Sequence, residues 1–312
     1  MRLPPPGLVA TPRAVAALRR MALADGGEAG LDCVALSTGG GLDAWLLAGR
    51  GLDIGPLWWR GRQLGWMPPQ GFLHGAFRRA EEEGGHGFGR LFGGALVTCG
   101  LSHIRQPAQG NPLHGRLPYT PARITLCREA EGRLEVEGEI VEARTGGPAL
   151  LLRRRIEAEA GGTVLRLRDT VENIGPTAAP HAILYHLNFG WPLVAPGVAV
   201  TLDGVPLGIP HAPGDAAATP TVTILPSRDG VAGLTSSEGV GLTLRFDPTT
   251  LPHFQLWHDL RPNVCVLALE PVSIPRDAPI PLLAPGERRA YAIDIAIGDI
   301  PPGAENLATP RG

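Results

Sequence analysis

The strongest constraint on this chain is a period of two. Residues 133–141 (RLEVEGEIV) alternate apolar and polar side chains, and the alternation returns at 163–171, 242–246 and 289–297. Side chains along an extended strand point to opposite faces in turn. Each run therefore has one wet face and one buried face, as in antiparallel sheets. Continuous apolar runs at 181–185 (HAILY) and 264–269 (VCVLAL) predict strands buried on both faces. Gly and Pro clusters at 146–148, 161–162, 175–176 and 285–286 separate the runs. The segment 192–229, dense in Pro, Gly and Ala, reads as loops. One segment reads as helix, with Thr11 as cap, Pro12 at the first position, residues 14–24 as body, and Asp25, Gly26 and Gly27 as the stop. The expectation is an all-β antiparallel sandwich, a single domain over 1–312. Residues 1–30 are expected to form a helical extension packed at its edge.

Composition narrows the function. The chain of 312 residues has a net charge of −2, which argues against nucleic-acid or membrane-surface partners. All 28 basic residues are Arg. With no Lys, Schiff-base chemistry, covalent pyridoxal-phosphate attachment and a Walker A loop are excluded. The cysteines, Cys33, Cys99, Cys127 and Cys265, form no C-x-x-C pair. Cys33, Cys99 and Cys265 sit in apolar strand-like runs and read as buried small hydrophobes. The N-terminus shows no apolar signal-peptide core, and no stretch is long and apolar enough to span a bilayer. A soluble, reducing, cytoplasmic setting is expected.

Nine histidines offer acid–base candidates near neutral pH. His74, His86, His103, His211 and His253 lie in loop-like sequence and read as structural or solvated. His258, between Trp257 and Asp259, could line a sugar pocket or close a packed strand. His114 follows a Gly/Pro loop. His186 closes an apolar strand in a His-x-Asn pattern with Asn188. Glu270 ends a buried apolar run just before Pro271. A carboxylate there bears a desolvation cost, which can tune its pKa for acid–base work.

NPLHGR (111–116), YHLNFG (185–190) and LALEP (267–271) together resemble the aldose 1-epimerase (galactose mutarotase-like) superfamily. They occur in that superfamily's order, from roughly residue 41 onward. The stretch 87–101 (GFGRLFGGALVTCGL) looks like a subgroup carried only as a domain of unknown function. The resemblance implies an antiparallel β-supersandwich and a sugar mutarotase that opens a cyclic hemiacetal without cofactor or metal. It implies Glu270 as base at the anomeric hydroxyl, His186 as acid at the ring oxygen, and His114 supporting charge near that oxygen. The galactose type continues its first motif with a second Gly where this chain has Arg116. The second motif of the family opens with Thr-His where this chain has Tyr185-His186.

Expected substrate contacts are Arg116, Arg50, Asn188, Trp59 and His258, with Trp191 and Trp257 as further stacking candidates. Arg116 lies two residues after His114. On an extended segment the two share a face, which leans toward a polar or anionic sugar. The partner expected is a small-molecule sugar, with no nucleic acid and no membrane, and a homodimer is left open. Two alternatives stand beside the enzyme. One is a non-catalytic carbohydrate-binding protein on the same fold. The other is a metal-dependent sugar isomerase on a cupin-like barrel, which usually needs an H-x-H cluster that this chain lacks.

Overall fold

The computed structural model describes residues 7–300. In chain order the strands are β1 (Ala17–Ala22), β2 (Asp32–Ser37), β3 (Leu42–Leu47), β4 (Asp53–Trp59), β5 (Arg62–Gln63), β6 (Val97–Cys99), β7 (Arg123–Ala130), β8 (Arg133–Ala143), β9 (Ala149–Glu159) and β10 (Val164–Asn173). They continue as β11 (Ala179–Pro180), β12 (Leu184–Phe189), β13 (Ala199–Leu202), β14 (Val205–Leu207), β15 (Thr221–Pro226), β16 (Val231–Thr235), β17 (Val240–Phe246), β18 (His253–Asp259), β19 (Val266–Val272), β20 (Leu282–Leu283) and β21 (Arg288–Asp299). Strands β1 to β5 form one sheet in sequence order. A nine-stranded sheet runs β14-β13-β16-β17-β21-β10-β9-β8-β7, and a five-stranded sheet runs β15-β18-β19-β12-β6. Strands β11 and β20 pair alone. All named pairs are antiparallel, for example β12 with β19 and β10 with β21. The all-β antiparallel expectation is met. No helix among the described residues is long and apolar enough to cross a membrane.

The alternating runs fold as their period requires. Along β10 every second residue is buried, and β21 alternates through its middle. One apolar cluster draws from all three large sheets, through residues such as Leu36, Leu57, Ile156, Leu167, Leu187, Leu269 and Ile293. Each fully buried aliphatic side chain of this kind stabilises by about 1.5–3 kcal/mol relative to an exposed one. The continuous run at 264–269 becomes β19, which is buried along its whole length. The run at 181–185 only leads into β12, which begins at Leu184 and is likewise buried throughout.

Three expectations are corrected. Residues 17–22 are strand, not helix. Thr11 does cap a turn, but that turn is the three-residue 3-10 helix Pro12–Ala14. The chain then pairs with β2, Leu18 opposite Leu36, and the Leu18 amide donates to Glu129 at 2.7 Å. Residues 1–6 of the expected extension lie outside the described residues. Second, the stretch 192–229 carries β13, β14 and β15 rather than loops alone. Third, Cys33 and Cys99 are buried, but Cys265 is only half-buried, at a positive φ of 44° just before β19.

A single guanidinium ties the three sheets together. Arg154 on β9 donates to Asp169 on β10 at 3.0 and 2.6 Å, to Asp53 on β4 at 2.8 Å, to the Gly51 carbonyl at 3.1 Å and to Thr98 on β6 at 2.8 Å. These contacts use all five of its N–H donors. The Tyr185 hydroxyl of β12 donates to Asp169 at 2.8 Å. Two carboxylates surround Arg154, and Arg50 approaches Asp53 at 4.0 Å, so charge is balanced within the cluster. Tyr185 immediately precedes His186, so this buried network fixes the strand that carries the site.

Candidate active site

Register places the site. Leu184 pairs with Val272 and Leu187 with Leu269, which sets His186 opposite Glu270 on neighbouring strands. Gln255 pairs with Glu270, and Ile224 with Gln255. Because side chains alternate, Leu184 and His186, Glu270 and Val272, Gln255 and Trp257, and Val222 and Ile224 share one face of the sheet. All eight line a cleft of about 860 Å³. That volume is in the range of small-molecule sites. The other side of the cleft comes from the loops between β5 and β7, through Phe88, Phe92, Arg105 and His114, and from residues 274–277 after β19.

His186 and Glu270 are both buried, and His186 Nε2 lies 3.4 Å from Glu270 Oε1. Glu270 Oε2 accepts from Gln255 Nε2 at 3.4 Å, while Oε1 has no hydrogen-bond partner. Burial drives the Glu270 carboxyl well above the usual carboxylate range. Burial, with repulsion from His114, drives His186 down to about 3 against a weaker upward pull from Asn188. Both shifts favour the uncharged forms of the pair, a carboxylic acid and a neutral imidazole.

His114 sits at a left-handed φ of 62°, in a turn closed by Gly115 at φ 79°. A Cβ at Gly115 would fall 2.1 Å from the His103 carbonyl, so only glycine fits there. The turn brings the His114 ring to 5.9 Å from the His186 ring, with Phe88 edge-on at 4.6 Å. His114 Nδ1 is 3.0 Å from the Ile104 carbonyl, which can only accept, so the proton is on Nδ1 and the Nε2 lone pair remains. Burial lowers its pKa to about 4. Phe92 and Trp257 meet the His186 ring edge-on at 5.1 and 5.7 Å, and each other at 5.5 Å.

The structure thus brings His114, His186 and Glu270 to one cleft, with Trp257. The other expected contacts lie elsewhere. Arg50 is buried and donates to the carbonyls of Leu91, Gly93 and Leu96. Arg116 does not line the cleft. Residues 114 and 115 form a turn, so the shared-face argument fails, and Arg116 pairs with Glu81 at 2.8 Å. Trp59 is buried and donates to Asp299 at 2.6 Å. His258 alternates to the face of β18 away from Trp257. Trp191 is 67% exposed and also lies outside the cleft. Asn188 is fully buried behind His186 rather than at the cleft wall: its Oδ1 is 2.5 Å from His186 Nδ1.

Sequence reasoning missed Gln255, Phe88, Phe92, Arg105, Arg276 and the cleft position of His86. Gln255 was legible as the residue two before Trp257 on one strand. Arg105 donates to the Pro275 carbonyl at 3.3 Å and to that of Ala278, which sets it against the peptide preceding Arg276. Its Nε is buried without a partner. Among the described residues neither arginine has a carboxylate within ion-pair distance, and Glu83 at the rim is held by Arg90 at 2.6 Å. Among the described residues no group of three or more His, Cys, Asp or Glu side chains is arranged to hold a metal ion.

The chain matches the family described as "Domain of unknown function (DUF4432)" over residues 28–207. A search of curated proteins finds no match. Several solved structures share the fold. A candidate aldose 1-epimerase from Klebsiella pneumoniae aligns at a TM-score of 0.82 and 18% identity, covering 93% of this chain and 85% of its own. A galactose mutarotase-like protein from Clostridium acetobutylicum aligns at 0.66 and 13%, covering 92% and 100%. A galactose 1-epimerase from Lactobacillus acidophilus aligns at 0.60 and 12%, covering 91% and 99%. At these identities the likeness is one of fold, the galactose mutarotase-like fold.

Proposed function

We propose, for a chain that belongs to the DUF4432 family of domains of unknown function, that this cleft opens and recloses the ring of a sugar hemiacetal and so interconverts its anomers, as an aldose 1-epimerase does. The observation that carries this reading is the direct approach of His186 Nε2 to Glu270 Oε1 in an aromatic-walled cleft. Once the proton of the pair has passed from Glu270 to His186, Glu270 takes the proton of O1 while His186 gives its Nε2 proton to the ring oxygen O5. The C1–O5 bond breaks and C1=O1 forms. Rotation about C1–C2 and reclosure by the reverse transfers give the other anomer. Positioned proton transfer contributes on the order of 10²–10⁴-fold per group, which is adequate for a reaction that already runs unaided in water. Trp257, Phe88 and Phe92 offer surfaces for the apolar face of a sugar. His114, neutral with its Nδ1 proton on Ile104, accepts from a sugar hydroxyl through Nε2. Arg105 and Arg276 take over the polar or anionic contact expected of Arg116.

The test is direct. Freshly dissolved single anomers of neutral, phosphorylated and acidic sugars are followed by polarimetry or by NMR exchange, with thermal shift reporting binding. Relaxation faster than in buffer for at least one sugar supports the proposal. Binding without acceleration would overturn it in favour of a carbohydrate-binding protein.

A further inference from the structure

The Asn188 side chain is locked by its surroundings. Its Nδ2 donates to the Gly94 carbonyl at 3.2 Å, and its backbone pairs with Ala95 and Trp66. A carbonyl oxygen only accepts, so the NH₂ group must face Gly94 and Oδ1 must face His186. Oδ1 also only accepts. At 2.5 Å from it, His186 Nδ1 must therefore carry a proton. Asn188 is two residues after His186 on β12, so the same strand face supplies both groups.

We propose that Asn188 is a positioning residue that holds His186 in its Nδ1–H form, leaving one exchangeable proton on the edge between His186 Nε2 and Glu270 Oε1. Either Glu270 is a carboxylic acid and Nε2 a lone pair, or the proton has crossed to give imidazolium and carboxylate. The placement itself stands independently of the mutarotase reading, whereas its role in turnover rests on that reading. When a closed sugar binds, the proton moves from Oε1 to Nε2. Ring opening then delivers it to O5, and O1–H passes its own proton to Oε1. The pair returns to acid and neutral imidazole, with no proton taken from or lost to solvent. The 3.4 Å separation is too long for a strong hydrogen bond, so a sugar hydroxyl can intervene without breaking one.

The test uses the whole protein labelled with ¹⁵N-histidine and long-range proton–nitrogen correlation. His186→Gln identifies the His186 signals. Without any sugar, wild-type His186 is expected to show a protonated Nδ1 and an unprotonated Nε2 at neutral pH. Asn188→Ala should give a mixture of tautomers. Its kcat should fall on the order of 10–100-fold, as for other partners that orient a working imidazole, with KM less affected. Asn188→Asp keeps an acceptor at Nδ1, so it should keep the tautomer and move the acid limb of the kcat profile upward. His114 and Glu270 are the other titratable groups facing His186, and both are unchanged in these variants. A wild-type His186 protonated on Nε2 instead would overturn the proposal, whether or not the variants fold. An Asn188→Ala protein with an unchanged tautomer and pH profile would do the same. Because the tautomer is read without substrate, absence of mutarotase activity would leave this test standing.

Discussion

His186 and Glu270 stand opposite one another on adjacent antiparallel strands, 84 residues apart in sequence and 3.4 Å apart at Nε2 and Oε1. Neither side chain depends on a mobile loop for its place. Glu270→Gln keeps the shape and removes the proposed base, so turnover should fall by roughly 10²–10⁴-fold while sugar binding survives. His186→Asn should act alike from the acid side. Groups that act as a unit are non-additive, so the double variant should be little worse than the worse single one. Anomer exchange by NMR measures all three, and multiplied losses in the double variant would break the pairing.

The same burial makes stability depend on pH in two opposed directions. His114, His181 and His186 are lowered from 6.5 to about 4, 4 and 3, in each case chiefly by burial. Between those values and 6.5 the unfolded chain binds more protons, so their contribution is present above 6.5 and is lost as pH falls through the window. Glu270 is raised, so its contribution is present below 4.5 and is lost as pH rises toward its folded value, at about 1.4 kcal/mol per pH unit. Glu270→Gln removes only the second trend. Denaturant titrations at pH 5 and pH 8 should show the variant gaining stability relative to wild type as pH rises. An equal difference at both pH values would contradict the upward shift of the Glu270 carboxyl.

Arg154 is expected to be the costliest single side chain to remove. Arg154→Met leaves Asp53 and Asp169 buried without their shared cation, and loss of one partner from a buried ion pair costs about 3–5 kcal/mol. Urea unfolding of the variant measures the loss. A change below about 1 kcal/mol would show that the cluster does not hold the sheets together.

Arg276→Gln and Arg105→Gln should weaken charged sugars more than neutral ones, whereas Arg116→Ala should leave the preference unchanged. Arg105 also straps two loops together, so Arg276→Gln is the cleaner of the pair. Thermal shifts with a hexose, a hexose phosphate and a uronic acid distinguish neutral, phosphate and carboxylate ligands. Equal losses for all three would remove any anionic preference.

The sheet framework was legible from local pattern, whereas the grouping of His114, His186 and Glu270 came from the resemblance that their motifs carry. Period-two runs specify a buried face, and Glu270 at the end of an apolar run stood out as a carboxylate that needs a reason. Other positions depended on distant partners. Residues 17–22 are good helix formers, but propensity differences of up to about 0.7 kcal/mol per residue do not outweigh a full strand partner in β2. Arg50 and Arg105 look alike in sequence, and only the carbonyls at 91, 93 and 96 fold the first into the core. Arg154 was readable in principle, since alternation puts it on the same face as buried Leu152 and Ile156.

The cleft wall has a chemical blank in it. Among the described residues its lining holds imidazole, carboxyl, carboxamide, guanidinium, aromatic and aliphatic groups, and no thiol, amine or hydroxyl side chain. A ring-opened aldose is an electrophile, and such an aldehyde condenses with amines and adds thiols. Held here, it would meet no side chain able to form an imine or a thiohemiacetal. Reclosure by its own hydroxyl is then the easiest way out, and the protein would be spared self-inflicted adducts over repeated turnovers.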